Sequence, residues 1–250
     1  MKHASELDVI EGTRTLQSAL ASGVRELGLE TTAADQDVML SYLLAILRVN
    51  RQLNLTRIVD PLEAVRLHLL DSLAATPELK QAPSGKCIDI GSGAGFPGVP
   101  LAIESGRDFT LLDSVGKKAR AVQGVLDGLN GHVPATAVSA RAEEIARTSP
   151  AYYSVAVARA VAPLQALLEL ASPLLERNGR LIALKGQPSE EEIQSGVHAS
   201  RIVGMTMVSS RELVLPGLGE RRTILVFEKV RERKVDLPRR TGLAQHHPLA

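Results

Sequence analysis

The residues best placed to do chemistry lie in a glycine-rich segment, Asp89-Ile90-Gly91-Ser92-Gly93-Ala94-Gly95-Phe96-Pro97-Gly98, and in an acid further on, Asp113. Glycines permit positive φ and let a ligand approach the main chain, so such a segment between a strand and a helix is a small-molecule cradle. A dinucleotide fingerprint, G-x-G-x-x-G, wants its third glycine at position 96, where this chain has Phe. That disfavours a nicotinamide oxidoreductase. Asp113 closes the next apolar run, where a carboxylate accepts hydrogen bonds from ribose hydroxyls. With Asp89 just ahead of the glycines, the pattern suits S-adenosylmethionine, whose sulfonium welcomes negative charge and which brings no phosphate to the helix N-terminus. The bland alternative is a tight strand-to-helix turn with a carboxylate beside it.

These residues must be held by regular elements, and the hydrophobic periodicity supplies them. Residues 5 to about 76 read as helices, with Leu7, Ile10, Leu16, Leu20, Val24 and Leu27, then Val38, Leu40, Leu43, Leu44 and Leu47, at spacings near 3.6. Pro61 opens a further helix whose stripe is Leu62, Val65, Leu69 and Leu73, with His68 and Asp71 on the opposite face. Breaks follow at Pro77 and over 81–85. From Lys86 onward, short apolar runs alternate with helical segments, the signature of a parallel sheet covered on both faces. Strands are expected at 87–90, 109–113, 135–138, 155–158 and 180–185, and helices at 97–104, 117–129, 141–147, 163–175 and 190–199. Two last strands, 203–215 and 223–229, join through a turn at Pro216-Gly217-Leu218-Gly219-Glu220. The organisation is thus a helical extension and cap over 1–84, an α/β domain over 85–230 and a basic, peripheral tail over 231–250.

Composition narrows the function. Of 250 residues, 44% are hydrophobic and 23% charged, which is ordinary globular usage. No apolar run reaches membrane-spanning length, and acids at Glu6 and Asp8 stand where a secretory signal would be apolar, so a cytoplasmic protein is expected. Cys87 is the only cysteine, which excludes an internal disulfide and a cysteine-cluster zinc site. Three Phe, three Tyr and no Trp cannot furnish the stacking platforms of an RNA-recognition sheet. Net charge is −3 over 1–84, zero over 85–210 and +4 over 211–250, a polarity that suits a phosphate-bearing partner at the C-terminal end.

Several segments together resemble the bacterial small-subunit ribosomal RNA methyltransferase G family, also called glucose-inhibited division protein B. They are Asn54-Leu55-Thr56, His68-Leu69-Leu70-Asp71-Ser72, the glycine loop, Leu111-Leu112-Asp113-Ser114 with Lys117-Lys118, Arg159-Ala160 and Ala183-Leu184-Lys185-Gly186. The end, Leu237-Pro238-Arg239-Arg240-Thr241-Gly242 with Pro248-Leu249, is similar too. The resemblance implies a class I, Rossmann-like methyltransferase fold: a seven-stranded, mostly parallel sheet with helices on both faces and a small N-terminal helical cap. It implies methylation of N7 of guanine 527 in 16S ribosomal RNA, bare or in a small-subunit assembly intermediate. It places Gly91, Phe96, Ala142, Glu143 and Arg159 in the cofactor pocket, to which the loop chemistry adds Asp89, Gly93, Gly95 and Asp113. Departures are Phe96 where some members have Leu, Gly116 and Ala121 where others are bulkier, and the extra residues 1–34.

Guanine N7 carries a free lone pair, so methyl transfer to it needs no general base, no thiol nucleophile and no metal. Positioning dominates. Arg and Lys are the side chains suited to the N7/O6 edge, and Arg159 and Lys185 stand at strand C-termini, where open α/β sheets bind ligands. Lys185 or Arg159 is thus expected to orient the base, with Asn54, His68 and Asp71 forming one wall. The alternatives are a surface pair for His68 and Asp71, a cap or turn for Asn54 and Thr56, a solvated strand end for Lys185, and a structural partner of Asp89 or Glu143 for Arg159. Lys117, Lys118, Arg120, Arg221, Arg222, Arg239 and Arg240 are the expected phosphate contacts. Competing functions are a non-catalytic RNA-binding module that keeps the pocket and a methyltransferase with another acceptor. No obligatory protein partner is indicated, and a monomer suffices.

Overall fold

A computed structural model describes residues 6–249, with side chains from Glu11 onward, so Leu7 and Ile10 lie outside the described side chains. Seven strands make one sheet in the order β3-β2-β1-β4-β5-β7-β6. They are β1 (Cys87–Ile90), β2 (Phe109–Asp113), β3 (Ala135–Ser139), β4 (Tyr153–Arg159), β5 (Leu175–Lys185), β6 (Met205–Val214) and β7 (Arg221–Lys229). β1 through β5 are mutually parallel, and β7 inserts antiparallel between β5 and β6. The seven strands expected from the apolar runs are all present. β1 and β4 are nearly all buried, as central parallel strands sealed on both faces must be.

The helices are α1 (Glu6–Glu26), α2 (Ala33–Leu53), α3 (Pro61–Ala64), α4 (Asp71–Leu73), α5 (Thr76–Lys80), α6 (Gly98–Ser105), α7 (Gly116–Asp127), α8 (Ala142–Thr148), α9 (Leu164–Ala171), α10 (Glu190–Ile202) and α11 (Leu243–His246). A π-helical stretch, Val65–Leu70, joins α3 to α4. Pro77 does not end the helical region: it sits in the first turn of α5, where its missing N–H costs nothing. Residues 172–175 leave the expected helix of 163–175, because Pro173 follows the α9 end and β5 begins at Leu175.

Each sheet face has its own core. On one face, Leu20, Leu43 and Leu73 of the N-terminal helices pack in the same cluster as Val99, Leu111 and Val157. Residues 1–84 therefore contribute to a core shared with the sheet. On the other face, α9 and α10 supply Leu164, Leu168 and Ala199 against Leu181 and Phe227. The 231–250 segment departs from the expected peripheral tail, for Leu237 and Ala244 are buried in this second core.

Candidate active site

The site begins where β1 ends. Gly91 and Ser92 donate their N–H groups to Leu112 O at 2.8 and 2.9 Å, which turns the loop back over the strand ends. Gly91 has φ 72°, and a Cβ there would stand 2.6 Å from Val161 Cγ2, so both backbone conformation and space demand glycine. Asp113 accepts from the Gly93 N–H at 3.1 Å and from the Val115 N–H at 2.7 Å, which fixes loop and acid together. Asp89 is fully buried and accepts from the Gly98 N–H at 2.7 Å. It thus anchors the start of α6 and lines neither of the two cavities described below, although the sequence reading placed it in the cofactor pocket; its other oxygen has no partner among the described residues. Burial, opposed by the Gly98 N–H and Arg159, pushes its pKa up to about 7.

Beside the loop lies a cavity of about 460 Å³ lined by Leu67, His68, Asp71, Arg159, Lys185 and Arg222, among others. The π-helical stretch brings two of these inward. An α-helix would put His68 and Asp71 opposite the apolar stripe, as the sequence pattern suggests, but the wider turn shifts the phase, and both are buried. Asp71 joins two arginines: its Oδ2 accepts from Arg159 Nη1 and its Oδ1 from Arg222 Nε, each at 3.0 Å. Arg159 Nη1 also donates to Leu67 O at 2.7 Å, and Arg222 Nη2 to Glu220 at 2.7 Å.

His68 is held on three sides. Its ring stacks on Phe96 with centroids 4.5 Å apart and planes 2° from parallel. Arg159 Nη2 approaches Nδ1 at 3.3 Å, and Thr56 Oγ1 lies 2.9 Å from Nε2. A guanidinium only donates, so Nδ1 accepts and the Nε2–H donates to Thr56. Burial first, and the Arg159 charge second, pull the His68 pKa down to about 3, so the ring is neutral at ordinary pH. Lys185 Nζ pairs with Glu192 at 2.6 Å and donates to Ala162 O at 3.2 Å at the cavity rim.

A second, smaller cleft of about 60 Å³ lies under the loop, lined by Gly91, Ser114, Ala142, Glu143, Val161 and Gln245, among others. Its ceiling is the C-terminal segment. Glu143 accepts from the Gly242 N–H at 2.7 Å, and Arg239 makes a two-pronged pair with buried Glu169, both contacts at 2.6 Å. Arg147 Nη2 donates to Arg239 O at 3.1 Å.

The sequence-derived residues therefore sort into three places. His68, Asp71, Arg159 and Lys185 share one cavity; Gly91, Ala142 and Glu143 share the smaller cleft; Gly93 and Asp113, bonded to each other, stand outside both. Asn54 joins neither. It caps α2 in the left-handed conformation at φ 50° and is exposed, and Thr56 takes the wall position beside His68. Gly95, at φ 86°, packs beneath Tyr42, and Phe96 is buried between Tyr42 and His68, so both shape the loop from behind. Arg159 pairs with Asp71, a partner the sequence reading did not name. Arg222 and Arg239, expected on RNA phosphates, are bound to Asp71 and Glu220 and to Glu169. The members outside the expected set are Thr56, which reaches His68 twelve residues on, Tyr42, whose hydroxyl donates to Ala94 O 52 residues away, and Gln245, which lines the smaller cleft from the C-terminal segment. Among the described residues no group of His, Cys, Asp and Glu could hold a metal ion, and no helix is long and apolar enough to cross a membrane.

Comparison with known proteins gives this geometry its context. Solved structures with the same fold include a SAM-dependent methyltransferase from Methanosarcina mazei, at 13% identity and TM-score 0.51, covering 62% of this chain and 98% of that one. A chain solved in work on thioacetal formation during echinomycin biosynthesis, at 14% identity and TM-score 0.51, covers 64% of this chain and 81% of its own. At that identity the likeness concerns the fold, a class I Rossmann-like sheet. In sequence, the ribosomal RNA small subunit methyltransferase G of Symbiobacterium thermophilum is 36% identical over 92% of this chain and 96% of its own. That of Deinococcus radiodurans is 38% identical over 92% and 91%. The model of the rRNA small subunit methyltransferase G family matches residues 35–221, and the chain belongs to that family.

Proposed function

We propose that this protein uses S-adenosylmethionine to methylate N7 of guanine 527 in 16S ribosomal RNA, acting in the cytoplasm where the small subunit is assembled. The observation that carries the reading is the junction of two sites: a glycine loop tied to Asp113, and an arginine-lined cavity reached from the ends of β4 and β5. The chain's residues fit an adenosyl group. Gly91 leaves a cradle that any Cβ would fill, and an ionised Asp113 retains acceptor capacity for ribose hydroxyls beyond its two backbone bonds. Phe96, stacked on His68, occupies the place where a dinucleotide fold needs glycine.

When bound, the cofactor supplies an electrophilic methyl group on a positively charged sulfur. The protein's part is positioning. The cavity of about 460 Å³ is within the usual range for a small-ligand pocket and suits a single purine. Arg159 Nη1 is spent on Leu67 and Asp71, whereas Nη2 keeps one N–H beyond its contact with His68, aimed at the guanine O6 edge. Lys185 retains one donor after Glu192 and Ala162 and serves the same edge from the rim. Neutral His68, with Asp71 behind Arg159, forms the wall against which the base lies. No residue strips a proton, because N7 carries none. Alignment of this kind recovers up to roughly 7–11 kcal/mol of barrier.

Incubation with methyl-labelled S-adenosylmethionine and small-subunit RNA, bare and assembled, followed by nucleoside analysis, tests the reading. Label at one site as 7-methylguanosine is the expected result. Cofactor binding without any label would point to a non-catalytic module, and label in another nucleoside to another acceptor.

A further inference from the structure

Residues 54–59 present two faces. One meets the cavity through Ile58 and through Thr56, whose hydroxyl holds His68. The other lines a groove of about 980 Å³ between α2 and the start of α7. Arg48 and Arg51 enter this groove from α2, Arg57 from the connecting segment and Lys118 from α7, and no carboxylate lines it. Among the described residues none of these four cations has an ion-pair or hydrogen-bond partner, unlike Arg180, Arg211, Arg222 and Arg239, which are all paired. Like charges gathered without neutralisation repel one another, an arrangement that an incoming polyanion relieves. Beside them Val59 is 71% exposed, an uncovered apolar surface suited to a ribose or base face.

We propose that this groove holds the sugar-phosphate backbone of the RNA strand whose base enters the neighbouring cavity. The proposal rests on the reading of the protein as a ribosomal RNA methyltransferase and names the track by which that substrate is held. The guanidinium forks of Arg48, Arg51 and Arg57 match phosphate oxygens two at a time, and Lys118 adds a point charge. Because residues 54–59 are the shared wall, a strand seated in the groove lies one segment's thickness from Arg159 and His68. All four cations lie outside the basic C-terminal end, on α2, the segment after it and α7.

The test is the triple variant Arg48→Gln/Arg51→Gln/Arg57→Gln, compared with Arg25→Gln/Arg177→Gln/Arg201→Gln, which removes the same charge from exposed positions elsewhere. Binding to small-subunit RNA is measured against salt, with thermal unfolding and cofactor binding as controls. Each lost phosphate contact lowers the slope of log K on log salt by about 0.7–0.9 and affinity near 0.1 M salt by about sixfold, so the groove variant should bind ~100-fold more weakly with a slope reduced by about 2 to 3. Its melting and cofactor affinity should match the parent's. Equal losses in both triples, or none in the groove triple while the parent binds and methylates the RNA, would overturn the groove alone. A parent that neither binds nor methylates the RNA would overturn the reading beneath it as well.

Discussion

Asp71 is one carboxylate between two arginines, and replacing it with Asn keeps its shape while removing its charge. Its side chain is 7% exposed, and those of Arg159 and Arg222 are 15% and 16% exposed, so water offers little compensation. At an effective dielectric of 20, a unit-charge pair about 4 Å apart is worth about 4 kcal/mol, and breaking a buried pair from one side typically costs 3–5 kcal/mol. Two features pull the figure to the low end: Arg159 keeps Leu67 O and Arg222 keeps Glu220. We expect Asp71→Asn to lose about 3 kcal/mol, a fall of roughly 6–12 °C in Tm for a domain of this size. Removing one of the stranded cations should restore part of that loss, so Asp71→Asn/Arg222→Gln should be at least about 1 kcal/mol more stable than the sum of its parts. Thermal unfolding by circular dichroism reads both quantities. A Tm shift under 2 °C in the single variant, or strict additivity in the double, would refute the carboxylate bridge as the tie between the π-helical segment and the sheet.

Three other outcomes follow from contacts described above. His68, held neutral with its pKa near 3, must gain a proton on unfolding in acid; its contribution to stability is complete above about pH 6.5, falls as pH drops toward 3, and amounts to about 2 kcal/mol lost by pH 5. In the parent this loss is nearly cancelled between pH 7 and pH 5 by Asp89, whose raised pKa stabilises the fold as pH falls; urea unfolding of His68→Gln should therefore show stability rising from pH 7 to pH 5 by about 2 kcal/mol more than in the parent. Gly91→Ala sets a Cβ against Val161 at φ 72° and should cost at least ~1–2 kcal/mol and weaken cofactor binding tenfold or more, measured by calorimetry. Glu143→Ala removes the acceptor of the Gly242 N–H and should speed proteolytic cleavage within 237–249 while leaving the sheet's circular dichroism unchanged.

The strands, the glycine turn and the acid at Asp113 were legible because each is written locally: apolar runs of strand length, glycine where φ is positive, a carboxylate at a strand end. What escaped was written at a distance. Arg159 lies 88 residues from Asp71, and Arg222 lies 151 from it, so no local pattern announces that one buried acid holds both. His68 and Asp71 read as a polar face because the α-helical period was applied across Val65–Leu70, where the chain takes a π-turn. Asn54 and Thr56 stand in one motif with a cap or turn as their alternative; Asn54 takes the cap of α2 through its backbone, and the hydroxyl two residues later reaches the histidine. Composition described the basic C-terminal end correctly as charge but not as surface, since Arg222 and Arg239 spend theirs inside the fold.

The seventh strand ends at Lys229, yet the cleft beneath the glycine loop is covered by the later segment that sets Gln245 in its lining and ties Gly242 to Glu143. A reading frame broken between codons 231 and 236 would yield a polypeptide with every strand of its sheet and with the Asp71 bridge intact. Its sheet would still give a circular dichroism signal, at lowered stability, because Leu237 and Ala244 leave the second core and buried Glu169 loses its partner. What it would lack is the roof over Gly91, Ala142 and Glu143, together with the pair that Arg239 gives Glu169. For a geneticist, a late stop in this gene is an allele whose protein has an open pocket as well as a weaker fold, and abundance alone would miss the first.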